Sequence, residues 1–349
     1  MTSRLTRRRL LGTGMALGAA GLMPVRGFAE SGRVVFSTYT GSWEEAHRDV
    51  LVPAFKKAYG ADVALDPLLA LDQIAKVRAA RNNPPFDLIL MDPGPALVAI
   101  GDDLVQPFDK TQSKHFGDLL PAAQDERGPG IFFQVVGMAY NPEKVKTPPK
   151  SWMDLWKPEY KGRVGLTNLG STLGTAFMVE LARLQGGSET DIEPAFKAIK
   201  ELLPSVAGIA PNPGALATLY QQGQIDIGPA NFNNVQLLRA RGVPIEFAKP
   251  ESGTIAFSTS IHIVKHAANP ELAWKLIETA MSPEVQGKLA DQPYTVIPTN
   301  TKVAMTGDLA TFIAKDQAEM RKSFVFHDWA KINQNRAAWI ERFNKEVRV

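Results

Sequence analysis

The chain has 349 residues, 39 basic against 36 acidic side chains and a formal charge of +3, a length that predicts two domains or one large one. Apolar residues make up 44% and charged residues 21%, so a large core can form and disorder is excluded. The sequence contains no cysteine, which excludes disulfide frameworks, thiolate zinc sites and cysteine nucleophiles.

The first segment in chain order has the composition of an export signal. Residues 1–29 contain five arginines and no acid, and their apolar run, 10–23, is shorter than the roughly 20 residues of a membrane-spanning helix. The small residues Gly27 and Ala29 predict cleavage near Ala29 and a periplasmic protein. Residues 6–11 (TRRRLL) resemble a twin-arginine signal, and an ordinary secretory signal remains the alternative.

Removing this segment changes the charge balance of the protein. The 39 basic residues fall by five to 34, against 36 acidic residues, so the mature chain is slightly acidic. No stripe of Lys and Arg interleaved with aromatic residues follows. We therefore expect no nucleic-acid partner.

The rest of the chain alternates strand and helix patterns, which predicts an α/β fold. Short β-branched and apolar runs predict strands at 33–38, 61–65, 86–91, 131–140, 163–167, 225–228, 245–249 and 255–264. Apolar residues at helical spacing predict helices at 43–59, 71–80, 172–184, 193–203, 213–222, 270–281 and 283–289, and a largely helical tail over 308–349. Gly60 is expected to end the first helix in the left-handed conformation.

Several motifs then resemble one known family. Residues 150–162 (KSWMDLWKPEYKG) resemble a signature of periplasmic solute-binding proteins of ATP-driven (ABC) importers, especially of the spermidine/putrescine-binding branch. The segments 137–141 (GMAYN), 269–274 (NPELAW), 281–284 (MSPE) and 297–300 (IPTN) agree in order. The resemblance covers nearly the whole mature chain.

The resemblance implies a type II periplasmic-binding-protein fold, with a mixed β-sheet in each of two α/β lobes, flanking helices and a hinge. Lobe 1 is expected to comprise 33–137 and 258–300, lobe 2 138–257, and a C-terminal helical segment, 301–349, packs on both. The implied protein is a monomer without enzymatic activity or cofactor. It closes on a small solute and delivers it to the transmembrane subunits of an ABC permease.

The sequence departs from the polyamine binders at the positions that matter for the ligand. In those proteins acidic residues contact the amines, whereas residues 166–172 (LTNLGST) contain no acid. A tryptophan expected near 230–233 is absent, and an expected Trp-x-Asp reads Phe257-Ser258-Thr259. We therefore expect a small polar, zwitterionic, amino-carboxylate-like solute, with a polyamine as the alternative.

Candidate ligand contacts follow from the rule that ligands bind outside the carboxyl ends of strands in open α/β sheets. These strand-end positions are Tyr39, Thr40, Ser42, Trp43, Asp92, Asn168, Ser171, Thr172, Asn231, Asn233, Phe257, Thr259 and Tyr294.

Two of these positions predict opposite charges on the ligand. Ser171 and Thr172 open a helix, so their hydroxyls and the first-turn amides can bind an anion, although plain N-capping explains them equally. Asp92 can bind an ammonium group or simply form a turn before Pro93. A ligand that meets both would be zwitterionic.

The other positions supply walls and hydrogen bonds. Tyr39, Trp43 and Phe257 can form an apolar or stacking wall, with a core position as the alternative for Trp43. The amides of Asn231 and Asn233 both donate and accept. The Tyr294 hydroxyl can donate, or the ring can pack against the C-terminal helices.

The sequence supports other functional classes, such as an iron carrier, a metalloenzyme or a serine hydrolase, less well. An iron carrier of this fold needs a tyrosine pair, and the chain has no Tyr-Tyr sequence. His262 and His266 lack the acid of an HExxH motif, and residues 170–174 (GSTLG) do not match Gly-x-Ser-x-Gly. We expect no metal site, and an exported hydrolase is the remote alternative.

Overall fold

A computed structural model describes residues 32–348, so the predicted export signal over 1–29 lies outside the described residues. Within the described part, no helix is both long enough and apolar enough to cross a membrane.

The strands come in two groups joined by two long strands. They are β1 (Arg33–Thr38), β2 (Asp62–Pro67), β3 (Leu88–Met91), β4 (Val105–Gln106), β5 (Gly130–Tyr140), β6 (Val164–Thr167), β7 (Val206–Ala210), β8 (Ile227–Asn231), β9 (Glu246–Ala248), β10 (Thr254–Val264), β11 (Ile297–Pro298) and β12 (Phe324–Val325).

The helices flank these strands. They are α1 (Ser42–Ala46), α2 (Val52–Tyr59), α3 (Ala70–Ala79), α4 (Pro93–Gly101), α5 (Thr172–Leu184), α6 (Glu193–Leu202), α7 (Pro213–Gln221), α8 (Phe232–Ala240), α9 (Pro270–Met281), α10 (Pro283–Ala290), α11 (Gln317–Ser323), α12 (Trp329–Asn333) and α13 (Arg336–Glu346). A π-helical turn, His47–Leu51, joins α1 to α2, and Gly60 ends α2 at φ 67°, as predicted.

All these strands belong to one mixed sheet with the main order β2-β1-β3-β10-β5-β8-β6-β7. The pairs β1·β2, β1·β3, β6·β7 and β6·β8 are parallel, whereas β10 pairs antiparallel with β3 and β5, and β5 with β8. We call β2-β1-β3 the first half-sheet and β8-β6-β7 the second half-sheet. The eleven-residue strands β5 and β10 connect them.

The apolar core divides along the same line. One buried cluster covers the first half-sheet and draws its members from residues 34–132 and 261–296, apart from Leu237. A second cluster lies around α5 and α6 and includes Trp329 and Phe343 of the C-terminal segment. A third joins residues of α7 and α8 to Ile297 and to apolar residues between 305 and 324. The carboxyl ends of β1, β3, β6 and β8 therefore face the space between two separately packed halves.

The sequence pattern did not predict α4, α8 or β7, nor the two-residue strands β4 and β11. Residues 92–95 (DPGP) were expected to form a turn, but Pro93 is compatible with the first helical turn and α4 begins there. Residues 231–234 were expected to be a loop, yet α8 begins at Phe232 and buries it with Val235 and Leu238. Strand β7 follows α6 after a single 3₁₀ turn, Leu203–Ser205.

Candidate ligand-binding cleft

A cavity of about 50 Å³ lies where the carboxyl ends of β1, β3, β6 and β8 meet. At about 10–15 Å³ per water molecule, this space holds only a few waters, so the cleft is nearly closed. Its lining comprises Tyr39, Thr40, Ser42, Trp43, Leu69, Ala70, Asp92, Gln134, Gly170, Ser171, Thr172, Leu173, Pro213, Gly214, Asn231, Asn234 and Phe257.

Most of the predicted contact residues meet in this lining. They are Tyr39, Thr40, Ser42, Trp43, Asp92, Ser171, Thr172, Asn231 and Phe257. The prediction missed Leu69, Ala70, Gln134, Gly170, Leu173, Pro213, Gly214 and Asn234.

Four predicted residues do not line the cavity. Thr259 and Asn233 lie just behind it, donating to the carboxylate of Asp92 and to the hydroxyl of Ser42. The Asn168 side chain accepts from the amide of Gly170 and so shapes the loop before α5. The Tyr294 hydroxyl donates to Asp49, away from the cavity.

Asp92 is a buried acceptor, 6% exposed, at the end of β3. Its Oδ1 accepts from Gln134 Nε2 at 2.9 Å and from Thr259 Oγ1 at 2.8 Å. Burial raises the pKa of Asp92, and hydrogen bonds from the hydroxyls of Thr172, Thr259 and Tyr39 partly oppose that rise. The carboxyl is thus tied to both halves of the molecule.

Tyr39 is coupled to the same group. Its hydroxyl accepts from the backbone N–H of Asp92 at 2.8 Å. Burial, followed by the charge of Asp92, raises the pKa of Tyr39 well above its ordinary value. Tyr39 is therefore a neutral donor throughout the physiological range.

A chain of amides crosses the floor of the cleft. Gln134 on β5 donates to Asp92, and its Oε1 accepts from Asn231 Nδ2 at 2.6 Å. This bond directs the remaining atom of Asn231, Oδ1, away from Gln134. Asn231 lines the cavity and is 2% exposed, and its Oδ1 has no hydrogen-bond partner in the described residues.

Helix starts surround the cavity. Helices α3, α5 and α7 begin at the lining residues Ala70, Thr172 and Pro213, and α4 and α8 begin one residue after Asp92 and Asn231. Each start carries free N–H groups and the positive end of a helix dipole. The free N–H groups and the positive ends of these helix dipoles therefore favour a negatively charged group in the cavity.

The start of α5 shows how this geometry is fixed. Ser171 is its N-cap, and Ser171 Oγ accepts from the N–H of Gly174 at 3.0 Å. The amides of Thr172 and Leu173 donate to no acceptor among the described residues, and both residues line the cavity. Ser171 thus caps the helix and leaves two donors for a ligand.

Aromatic rings form the apolar wall. Trp43 is 6% exposed and stacks on Phe132 of β5, with ring centroids 3.8 Å apart and planes at 6°. Phe257 on β10 faces the cavity and packs edge-on against Trp329. Trp43 accordingly serves both the core and the cleft, two roles that were posed as alternatives.

Direct contacts close the cleft. Ser42 is the first residue of α1. Its Oγ donates to Asn234 Oδ1 and accepts from Asn233 Nδ2 at 3.1 Å, and both asparagines lie on α8. Further out, Arg241 forms an ion pair with Glu45, and both are exposed. No histidine lines the cavity, and residues 32–348 contain no cluster of three or more potential metal ligands.

A mixed sheet whose two halves direct strand ends and helix starts at one enclosed polar cleft defines a type II periplasmic-binding-protein fold. The chain belongs to the family of bacterial extracellular solute-binding proteins, whose profile matches residues 83–335.

Comparison with individual proteins supports this assignment. The spermidine/putrescine-binding periplasmic protein of Escherichia coli (strain K12) is 32% identical over 207 residues, covering 54% of this chain and 57% of its own length. A gamma-aminobutyric acid-binding protein of Pseudomonas aeruginosa PAO1 is 24% identical over 288 residues, covering 76% and 77%. The match thus spans little more than half the length of the polyamine-binding relative.

The fold is shared with solved periplasmic binding proteins. The protein AgtB of A. tumefaciens R10, solved in complex with agropinic acid, superposes with a TM-score of 0.77 at 20% identity. The alignment covers 90% of this chain and 98% of that protein.

Proposed function

We propose that this protein is the periplasmic substrate-binding component of an ABC importer, which captures a small solute in the cleft and delivers it to the permease. In this proposal the chain is exported through the twin-arginine pathway, is cut near Ala29 and acts as a monomer. Family membership and the fold support the solute-binding role.

The moving parts are the two predicted lobes, 33–137 with 258–300 and 138–257. Two of the three buried apolar clusters lie on opposite sides of the crossing strands β5 and β10, which supports this division, because bending β5 and β10 would part these two clusters. The C-terminal segment packs on both sides, since Asn333 donates to Gly94 O of α4 and Arg342 pairs with Glu193 of α6.

The solute proposed is a compact zwitterion bearing an ammonium and a carboxylate. One observation carries this proposal: a buried carboxylate and residues with free helix amides line the same small cavity. Asp92 and the unsatisfied Asn231 Oδ1 can accept from an ammonium group. The free amides of Thr172 and Leu173 can donate to a carboxylate.

The named ligands of two similar proteins agree with this class. The Pseudomonas aeruginosa relative is a gamma-aminobutyric acid-binding protein, and the structural neighbour AgtB was solved with agropinic acid.

A polyamine is the second candidate, because the Escherichia coli relative binds spermidine and putrescine by name. The cleft offers a dication one carboxylate, Asp92, among the lining residues. The helix starts oppose a second positive charge. We therefore expect diamines to bind more weakly than amino-carboxylates.

Calorimetric titration with a four-carbon series separates the candidates, because putrescine, 4-aminobutanoate and succinate differ in charge at nearly constant length. With protein freed of bound solute, we expect 4-aminobutanoate to bind at least about tenfold more tightly than the other two, equivalent to about 1.4 kcal/mol. Tightest binding of putrescine would overturn the zwitterion proposal in favour of a polyamine carrier.

A matched pair of variants tests the role of Asp92. Asp92→Asn keeps the shape of the side chain but removes its charge. It should weaken the binding of 4-aminobutanoate at least about tenfold and should not weaken the binding of succinate. Asp102→Asn, at the far end of α4 and paired with Arg78, should change neither. Recovery of unchanged 4-aminobutanoate after incubation checks that the protein binds without turnover.

A further inference from the structure

A buried arginine lies directly behind the cleft. Arg336 is the first residue of α13 and is 4% exposed. Its Nε donates to Thr175 Oγ1 at 3.1 Å, and its Nη2 donates to Gly170 O at 3.2 Å and Leu169 O at 3.4 Å. The guanidinium therefore holds the loop that precedes α5, of which Gly170 lines the cavity.

All three of these partners are neutral. Within residues 32–348 no carboxylate lies within ion-pair distance of Arg336. A buried guanidinium without a counter-charge strongly destabilises the folded state, so its charge requires compensation nearby. Burial lowers the pKa of Arg336 to about 10, which leaves it protonated at neutral pH.

The available counter-charge lies across the cavity wall. Asp92 is the carboxylate that raises the pKa of Arg336, and the positive charge of Arg336 in turn lowers the pKa of Asp92. The two groups share no direct bond: Asp92 lines the cavity and accepts from Gln134 and Thr259, whereas Arg336 lies behind the wall and donates to Thr175, Gly170 and Leu169. When both groups are ionised their charges cancel, and among the described residues that line the cavity none besides Asp92 is charged.

The position of Arg336 is fixed from outside the cleft. Its guanidinium lies over the ring of Trp329, 5.8 Å from the centroid, and Trp329 packs edge-on against Phe257. Asn333 on the same segment donates to Gly94 O at 2.7 Å. Arg336 thus cannot move away from the loop before α5 without unpacking the C-terminal segment.

We infer that Arg336 determines the charge of the ligand, because it balances Asp92 and aims the free amides of α5 at the cavity, so that the cleft accepts a carboxylate with an ammonium and rejects a diamine. This inference rests on the proposed solute-binding function and deepens it. It assigns specificity to a positioning residue in the C-terminal segment that does not itself line the cavity.

The test compares Arg336→Met with Arg336→Lys on the same four-carbon ligands. Methionine removes the charge, whereas lysine keeps it and loses the forked donors. We expect Arg336→Met to shift the affinity ratio of 4-aminobutanoate to putrescine at least about tenfold toward putrescine, and Arg336→Lys to retain the ratio within about threefold. Equal weakening of both ligands in both variants would show a purely structural role and overturn the inference.

A measurement without ligand keeps the test decisive if none of the compounds binds. The carboxyl-carbon NMR titration of Asp92, assigned with Asp92→Asn, should show a higher pKa in Arg336→Met than in the parent or in Arg336→Lys. An unchanged pKa of Asp92 in all three proteins overturns the inference. Preference of the parent for putrescine would instead contradict the proposed ligand class, whereas the shift on removing Arg336 tests this inference separately.

Discussion

Polar side chains inside the sheet decide which hydrogen-bonding groups the cleft presents. Gln134 is 5% exposed on β5, a strand whose residues are all buried. Its amide donates to Asp92 and accepts from Asn231, so reversing it would break both bonds. The orientation of the Asn231 amide is therefore set by a residue on a connecting strand.

The buried histidine His262 predicts a loss of stability in acid. Burial lowers its pKa to about 4, while the unfolded chain binds a proton near 6.5. Between these two pKa values the unfolded state therefore binds more protons than the folded state. The contribution of neutral His262 to the free energy of unfolding is complete above pH 6.5 and is lost as the pH falls toward 4. We expect protonation of His262 to lower the free energy of unfolding by about 3 kcal/mol over that range.

Urea unfolding of the parent and His262→Gln at pH 7, 6, 5 and 4 measures this contribution. The variant should have a lower free energy of unfolding at pH 7, because it loses the bonds of the His262 ring to Arg127 O and Ser260. Its free energy of unfolding should nevertheless fall less steeply as the pH is lowered. Parallel curves for the two proteins would contradict the prediction. His47 and His327, whose pKa values burial lowers to about 3 and about 4, leave a residual slope in both.

Single residues also show where sequence reasoning stops. Asp92, Thr172 and Asn231 were predictable because each follows a strand or opens a helix. Gln134 left a weaker signal, as the one polar residue in the apolar run 131–136. Arg336 left none, because its contacts with Leu169 and Gly170 join positions 166–167 residues apart in the chain.

At the scale of secondary-structure elements, the start of α5 combines a cap with a close backbone approach. Ser171 caps the helix, and Gly174 lies so close to the preceding loop that a Cβ there would be 2.2 Å from Asn168 O. The glycine therefore allows the loop to fold back and bring the amides of Thr172 and Leu173 to the cavity.

Two helical glycines should respond in opposite directions to alanine. Gly174→Ala forces the backbone of the loop away from α5, which should cost about 1–3 kcal/mol of stability and weaken ligand binding. Gly287→Ala, within α10, has no atom within 4 Å of the new Cβ and should stabilise by about 0.5–1 kcal/mol with unchanged affinity. Urea unfolding and calorimetry measure both, and a stabilised Gly174→Ala would refute the close approach.

The sequence located elements well where capping and periodicity agreed. The prediction for 172–184 coincides with α5, because Ser171 and the Gly186-Gly187 pair mark its two limits. It failed for α4 and α8, because Pro-Gly-Pro and Asn-Phe-Asn-Asn are typical of turns. Both helices instead begin directly at a strand end and are held there by tertiary packing.

At the scale of the whole molecule, the cleft is closed by contacts between α8 and the segment following β1. Ser42 bonds to Asn233 and Asn234 at the centre, and Glu45 pairs with Arg241 at the exposed rim. An exposed ion pair contributes at most about 1 kcal/mol. The ligand must therefore supply most of the free energy that favours closure.

Cross-linking tests this closure, because the chain has no cysteine of its own. In Glu45→Cys/Arg241→Cys, a short bis-maleimide should join the two thiols several-fold faster when 4-aminobutanoate, or the tightest ligand of the series, is bound. The physical reason is that the ligand shifts the population toward the closed form, in which the two positions lie in contact. Mass spectrometry of the cross-linked peptide gives the rate.

The control pair is Arg78→Cys/Asp102→Cys, which replaces an exposed ion pair within the first half of the molecule. Its cross-linking rate should not depend on ligand, because α3 and α4 move together with the first half-sheet. A rate that rises with ligand in both pairs would indicate a general effect on thiol reactivity. A rate independent of ligand in the Glu45/Arg241 pair would mean that the cleft does not open, and that solute enters by another route.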